Sequence, residues 1–428
     1  MPDASMNEHD ETDAALAGIV DAWLADNWDP GLPVAEWWGR VATAGWTVPH
    51  FPVNWGGRGY ARRAQQVVRT AFRQAGALCP PGGLGLLMAA PTILAHGTPE
   101  QIARLVPPIL GGRVAWCQLF SEPGAGSDLA GLRTRATRDG DRWIISGQKV
   151  WSSQAMESDF GMLLARTDFD RPKHAGISWF AFPLDQPGVT IRPLREATGH
   201  AIFNEVFVDD AVVDDFDLIG GEGNGWKVTQ TTLLFERTGI GAGGAMAGFP
   251  YPGPKGGMLG LRAGDAAALE PPDATAKVVS LAELIELAHR LGLGGDPVLR
   301  QKLARLAALT RTGEWTALRG RAQGENAAAA GFANLGKLAQ TRIVKLAAEI
   351  AMDLAGPAGL LAAPDGLSAG RYPEALVFST ASSIYGGTDQ IQRNVIAERA
   401  LGLPREPSPD RDQPFGETLV GAPTARPR

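Results

Sequence analysis

Cysteine is nearly absent from this chain. Cys79 and Cys117 are the only two in 428 residues, too few for a disulfide framework or a structural zinc site. Its six histidines are scattered, none at i, i+4 spacing with an acidic neighbour, so no metal site is expected. A basic excess is missing too. Forty Lys and Arg stand against 46 Asp and Glu, for a net charge of −6, which leaves no stripe to neutralise phosphates and makes nucleic acid a poor partner. Long apolar runs are also lacking. The longest, from Gly82 to Ala95, is broken by Pro91 and too short to span a bilayer. The first residues, MPDASMNEHDET, are acidic and polar where a signal peptide would be basic and then apolar. These absences lead us to expect a soluble, cytoplasmic protein with no membrane span.

What is present is a chain long enough for two or three domains, 44% hydrophobic. Up to about Gly112 the texture is helical. Ala61–Leu78 is one candidate helix, and Thr98-Pro99-Glu100-Gln101 starts another with a capping box. After Val114 the texture changes. Arg135–Arg138 and Arg142–Ile145 flank Asp139-Gly140-Asp141, a hairpin pattern, and short apolar runs follow at 162–165, 177–182, 189–191 and 206–208. Helical periodicity returns at Trp226, with Leu233 and Leu234 on the same face. A stretch rich in Gly and Pro, 241–272, interrupts it. Ser280 and Asp296 each cap a new helix, a further one spans about Asn334–Leu354, and the last runs from Thr388 to about Leu401. Beyond Pro404 there is little to bury, and residues 405–428 are expected to be disordered. Helices, strands and helices again, in blocks, exclude a doubly wound α/β fold.

Two segments concentrate chemistry. In Ser121-Glu122-Pro123-Gly124-Ala125-Gly126-Ser127-Asp128, small residues and hydroxyls offer backbone N–H groups to something flat or anionic, although the same residues also make ordinary turns. Ile384-Tyr385-Gly386-Gly387-Thr388-Asp389-Gln390 is a Gly-rich turn into a helix, whose N-terminus favours electron-rich groups. Gly221-Glu222-Gly223-Asn224-Gly225 invites a dinucleotide reading but lacks the strand–turn–helix unit that such a site needs.

Phe120–Asp128 and Ile384–Asn394, the latter continuing to Ile396-Ala397-Glu398-Arg399, resemble the two signatures of the acyl-CoA dehydrogenase family, and weaker similarity spans roughly 30–405. The resemblance implies an α+β multidomain fold: an N-terminal helical domain (1–112), a middle β-barrel-like domain (113–224) and a C-terminal four-helix bundle (225–404). It implies FAD, held by Ser121, Gly126 and Ser127 of the loop, by Trp151 and Ser153 packing on and bonding to the ring, and by Thr388 and Gln390. It implies an acyl-CoA substrate touching Ser127, Arg237 and Tyr385, oxidised at Cα–Cβ to the trans-2-enoyl thioester in fatty-acid or steroid side-chain catabolism.

Many relatives carry the catalytic base in Tyr-Glu-Gly-Thr. This chain has Tyr385-Gly386-Gly387-Thr388, so that position holds no carboxylate, although the Gly386 N–H can still polarise the thioester. A smaller group, including isovaleryl-CoA and long-chain acyl-CoA dehydrogenases, uses a glutamate directly before an arginine. Leu233-Leu234-Phe235-Glu236-Arg237 matches that pattern, which makes Glu236 the expected base unless it only pairs with a nearby cation. The Arg-x-x-Phe-Gly motif that in relatives reaches the partner subunit's FAD is not found. The Gly/Pro-rich stretch is either a wider pocket for branched or polycyclic acyl groups or a disordered surface loop. Expected partners are electron-transferring flavoprotein or a similar acceptor, in a homo-oligomer (dimer or tetramer) or a heterotetramer. Three alternatives share the same reading: an acyl-CoA oxidase, an acyl-carrier-protein dehydrogenase, or a non-catalytic subunit of a heteromeric dehydrogenase.

Overall fold

A computed structural model describes residues 12–241, 250–269, 278–323, 331–361, 370–407 and 410–418. The N-terminal helices are α1 (Asp13–Asn27), α2 (Val34–Thr43), α3 (Ala64–Gln74), α4 (Ala90–His96) and α5 (Pro99–Leu110). α5 begins with the full capping box of Thr98 and Gln101. α3 is shorter than the stretch 61–78, because the chain leaves the helix at Gly76 with φ +66° and the Ala77 N–H returns to the Phe72 carbonyl. Leu16, Val20 and Leu24 of α1 pack with Trp37, Trp38, Val41 and Phe72 into an aromatic-rich core. A second core joins α4 and α5 to the β domain through Ile93, Ile109, Trp116 and Trp179.

The middle domain has β1 (Trp116–Leu119), β2 (Arg135–Asp139), β3 (Arg142–Ser153), β4 (Phe160–Arg166), β5 (Ile177–Pro183), β6 (Val189–Leu194), β7 (Phe203–Asp214) and β8 (Leu218–Ile219). They form one sheet in the order β6-β7-β3-β2-β4-β5-β8, with β1 added parallel to β4. Trp143 on β3 and Phe180 on β5 are three strands apart in that order. They still meet edge to face at 5.6 Å, so the sheet is rolled on its own core. Trp151-Ser152-Ser153 forms the end of β3, which runs well past the expected strand Arg142–Ile145.

The C-terminal helices are α6 (Gly225–Gly241), α7 (Ala263–Ala267), α8 (Leu281–Arg290), α9 (Pro297–Ala322), α10 (Phe332–Ala355), α11 (Arg371–Ser379) and α12 (Asp389–Val395), the last continuing into a π turn at Ile396–Ala400. α10 is the central helix, with α6, α8, α9 and α11 packed around it. Ala347, Ala348 and Ala351 on its buried face let its neighbours approach closely.

Two expectations are corrected. In the Gly/Pro-rich stretch, the described residues 250–269 form not a loose surface loop but a strap on the N-terminal domain. The Ala263 and Gly264 N–H groups donate to the Leu32 and Pro30 carbonyls, while Met258, Ala263 and Ala266 are buried in the first core. Its remaining residues, 242–249 and 270–272, lie outside the described ones. The tail is not wholly disordered either. Phe415 is completely buried, its ring 3.5 Å from the Arg166 guanidinium carbon, and Pro414 bridges to Pro172. An aromatic ring that covers a buried cation has something to bury after all.

Candidate active site

Every segment singled out in the sequence is anchored by its neighbours, and the anchors show what each can present. The loop 121–128 closes on itself through reciprocal 3.0 Å backbone bonds between Glu122 and Ala125. The Glu122 carboxylate takes the N–H groups of Arg133 (2.7 Å) and Thr134 (2.9 Å) and pairs with the fully buried Lys149 at 2.8 Å. Burial alone would raise its pKa, but Lys149 and the donors to its oxygens hold it below the usual carboxylate range. Lys149 also donates to the Phe120 carbonyl at 3.1 Å, and the Val150 N–H to the Ser121 carbonyl at 3.0 Å. The loop is thus fastened to β3 just before Trp151. Gly126 and Ser127 stay exposed, and Asp128 is held by Lys173 at 2.8 Å.

Trp151 sits where the β3–β7 register shifts between Lys149 and Ser152, in a left-handed conformation (φ +61°) that costs a tryptophan free energy. The bulge turns the indole outward, 58% exposed, with its edge against Phe203 at 5.7 Å. A large aromatic face exposed at a strained position, with Ser153 two residues on, suits a flat ring system. The buried Ser152 hydroxyl beside it has no partner among the described residues. These features and the hydroxyl-rich loop fit an isoalloxazine ring.

The second segment is a turn at Gly386 (φ +63°) and Gly387 (φ +84°), whose carbonyls take the Gln392 side-chain amide at 2.7 and 3.3 Å. Thr388 caps α12 by accepting from the Ile391 N–H. Asp389 pairs with Lys337 of α10 at 3.0 Å, which fixes α12 to the bundle. Tyr385 is 41% exposed, and Gln390 points to solvent. The Gly386 N–H donates to no described residue.

Glu236 lies on α6, and its Oε2 accepts from Gln118 Nε2 at 3.2 Å. Gln118 is on β1, three residues before Ser121, so the carboxylate lies against the strand that feeds the loop. The Arg237 backbone belongs to α6, but its side chain is outside the described residues. The structure therefore brings together the 121–128 loop, Trp151 and Ser153 as one wall, with Glu236 tied to it through β1. Among the described residues, no hydrogen bond joins the 385–390 turn to that wall. Sequence reasoning missed Lys149 and Gln118, each joined to its partner only by the fold.

An aromatic wall in a rolled β domain, with helical domains on either side, is the architecture of a flavin-dependent oxidoreductase. Residues 8–113, 117–211 and 278–401 match the N-terminal, middle and C-terminal domains of acyl-CoA dehydrogenase, and the chain belongs to that family. It is 38% identical over 411 residues to the acyl-CoA dehydrogenase IpdE1 of Mycobacterium tuberculosis (strain ATCC 25618 / H37Rv), covering 90% of this chain and 97% of that one. It is 37% identical over 369 residues to the acyl-CoA dehydrogenase FadE34 of the same organism, covering 85% of this chain and 46% of that one. Among solved structures, the Tcur3481-Tcur3483 steroid ACAD superposes with a TM-score of 0.68 at 25% identity, covering 92% of this chain and 98% of its own. The ChsE4-ChsE5 complex from Mycobacterium tuberculosis gives 0.66 at 25% identity, covering 93% and 100%.

Proposed function

We propose that this chain is the catalytic subunit of an FAD-dependent dehydrogenase that converts an acyl-CoA to its trans-2-enoyl-CoA, with Glu236 as the base. The observation that carries the proposal is the place of the Glu236 carboxylate, bonded to β1 beside the loop, in a chain whose other candidate position is the glycine Gly386. Leu233 packs into the apolar core and Phe235 adjoins Glu236, surroundings that favour a carboxylate basic enough to take an α-proton. The flavin, when bound, supplies the oxidant that takes the β-hydrogen as a hydride. Glu236 removes the α-proton, and the Gly386 N–H donates to the thioester oxygen as charge develops there. Trp151 walls the ring, Ser121, Gly126, Ser127, Ser153, Thr388 and Gln390 hold the cofactor, and Ser127, Arg237 and Tyr385 contact the substrate.

The variant Glu236→Gln tests this. In the assembled enzyme it is expected to bind flavin as the parent does, yet bleach with acyl-CoA about 10²- to 10⁴-fold more slowly without oxygen, the usual worth of a general base. Full-rate bleaching would overturn the assignment. For the acyl group we propose a steroid-derived, polycyclic acid, supported by the steroid ACAD among the structural neighbours. Two of those neighbours pair two different chains, which supports a heteromeric assembly. An electron-transferring flavoprotein as acceptor and a cytoplasmic location are carried over from the family resemblance.

A further inference from the structure

β1 alternates in the ordinary way of a strand. Cys117 and Leu119 enter the core of the rolled sheet, both fully buried, while Trp116 and Gln118 point to the other face. On that face Trp116 joins the apolar core shared with the helices. Gln118 is the polar exception, and its amide meets Glu236 across 118 positions of sequence, at 3.2 Å.

We infer that Gln118 is a positioning residue for the base, fixing the plane and the charge state of the Glu236 carboxylate. This rests on the reading of Glu236 given above. A carbon acid is a poor hydrogen-bond donor, so the substrate's α C–H cannot align the carboxylate that attacks it. The alignment has to come from the protein. Holding Oε2 fixes the carboxylate plane and so sets where Oε1 points. A neutral amide suits this purpose. It favours the ionised form that is needed for proton removal, whereas Lys or Arg at the same place would draw the pKa down and weaken the base.

The elements packed on α6 carry other ionisable groups. His96 on α4 is bonded to Thr231, Lys337 on α10 to Asp389, and the Arg62 guanidinium lies 5.9 Å from the Phe235 ring. α10 also carries Arg342, Lys345, Glu349 and Asp353, and α6 itself carries Lys227 and Arg237. All of them are unchanged in the variants below, so a shift between variants reports on position 118.

The test compares Gln118→Met, close in shape but without a donor, and Gln118→Glu with the parent enzyme and with Glu236→Gln. The probe is a panel of acyl-CoAs, including a steroid-derived one, added without oxygen to flavin-loaded protein. Losing a donor to the ionised form raises the Glu236 pKa, so in Gln118→Met the acid limb of the bleaching rate moves to higher pH. The limiting rate falls about 10- to 100-fold while half-saturation changes little. In Gln118→Glu the like charge moves the limb further in the same direction. If Glu236→Gln is inactive and Gln118→Met keeps the parent rate and limb, the inference falls and the base assignment stands. If Glu236→Gln is fully active, both fall. Should Gln118→Met fail to retain flavin, Gln118→Glu decides, and a limb that stays in place or moves to lower pH overturns the inference.

Discussion

Asp217 is only 3% exposed, and its one ionic partner among the described residues, the half-exposed Arg104, stands 3.6 Å away. Burial pushes its pKa up to about 6, with Asp214 adding repulsion and Arg104 offsetting only part of it. A folded pKa above the unfolded value near 3.9 means that the group favours folding below that value and loses this contribution as pH rises through 6. Asp217→Asn is therefore expected to raise stability at pH 8 by about 2 kcal/mol and to leave it nearly unchanged at pH 4, read from urea midpoints. An equal gain at both pH values would mean that the charge is not the cause. Residues at this scale differ in how far sequence exposes them. Glu236 stands out as a candidate base in the sequence because an arginine directly follows it and Gly386 lacks a side chain. Gln118 and Lys149 were not, because a lone polar residue in an apolar strand names no partner until the fold brings one.

Elements were legible where their causes are local. The Thr98 capping box and the Asp139-Gly140-Asp141 hairpin lie within a few residues of what they shape, and both stand where the sequence placed them. The strap over the N-terminal domain was not legible. Its Gly and Pro residues announce irregular structure, but its bonds run to distant residues, among them Pro30 and Leu32 more than two hundred positions earlier. The tail was misread for a related reason, since one aromatic residue in a polar segment carries no period. Its worth is open to measurement. Phe415→Ala removes a ring at zero exposure and uncovers Arg166, which donates to the Ala130, Leu132 and Lys173 carbonyls and so braces the end of the 121–134 segment. The expected cost is about 3–5 kcal/mol in thermal or denaturant unfolding, with faster loss of flavin on dilution. A variant as stable as the parent would show that the docking contributes nothing.

For the whole molecule, the order of helical, β and helical blocks was readable from periodicity, whereas the strand order β6-β7-β3-β2-β4-β5-β8 depends on pairings that no local pattern encodes. Ile384 and Tyr385 of the second segment are exposed, which is compatible with the heteromeric assembly proposed above. Expressed alone, the chain is expected to hold flavin weakly and to bleach slowly with acyl-CoA. Co-expressed with a second acyl-CoA dehydrogenase subunit, it should co-purify as one species with about tenfold or higher activity. Full flavin content and full activity in a single-chain species would contradict that.

The seat of Phe415 also bears on how the protein is made. Arg166 leaves the ribosome about 250 residues ahead of the ring that covers it, an interval of roughly 12–50 s at ordinary translation rates. Even with Arg166 fully buried, its pKa is lowered only to about 10, so the ring covers a cation at neutral pH. The rolled sheet can form meanwhile, but it carries an unroofed charge until the far end of the chain arrives. A chain cut before Phe415 would leave that defect in place. Until Phe415 docks, the domain that carries the 121–134 segment is therefore expected to be looser and more open to proteases than it is afterwards.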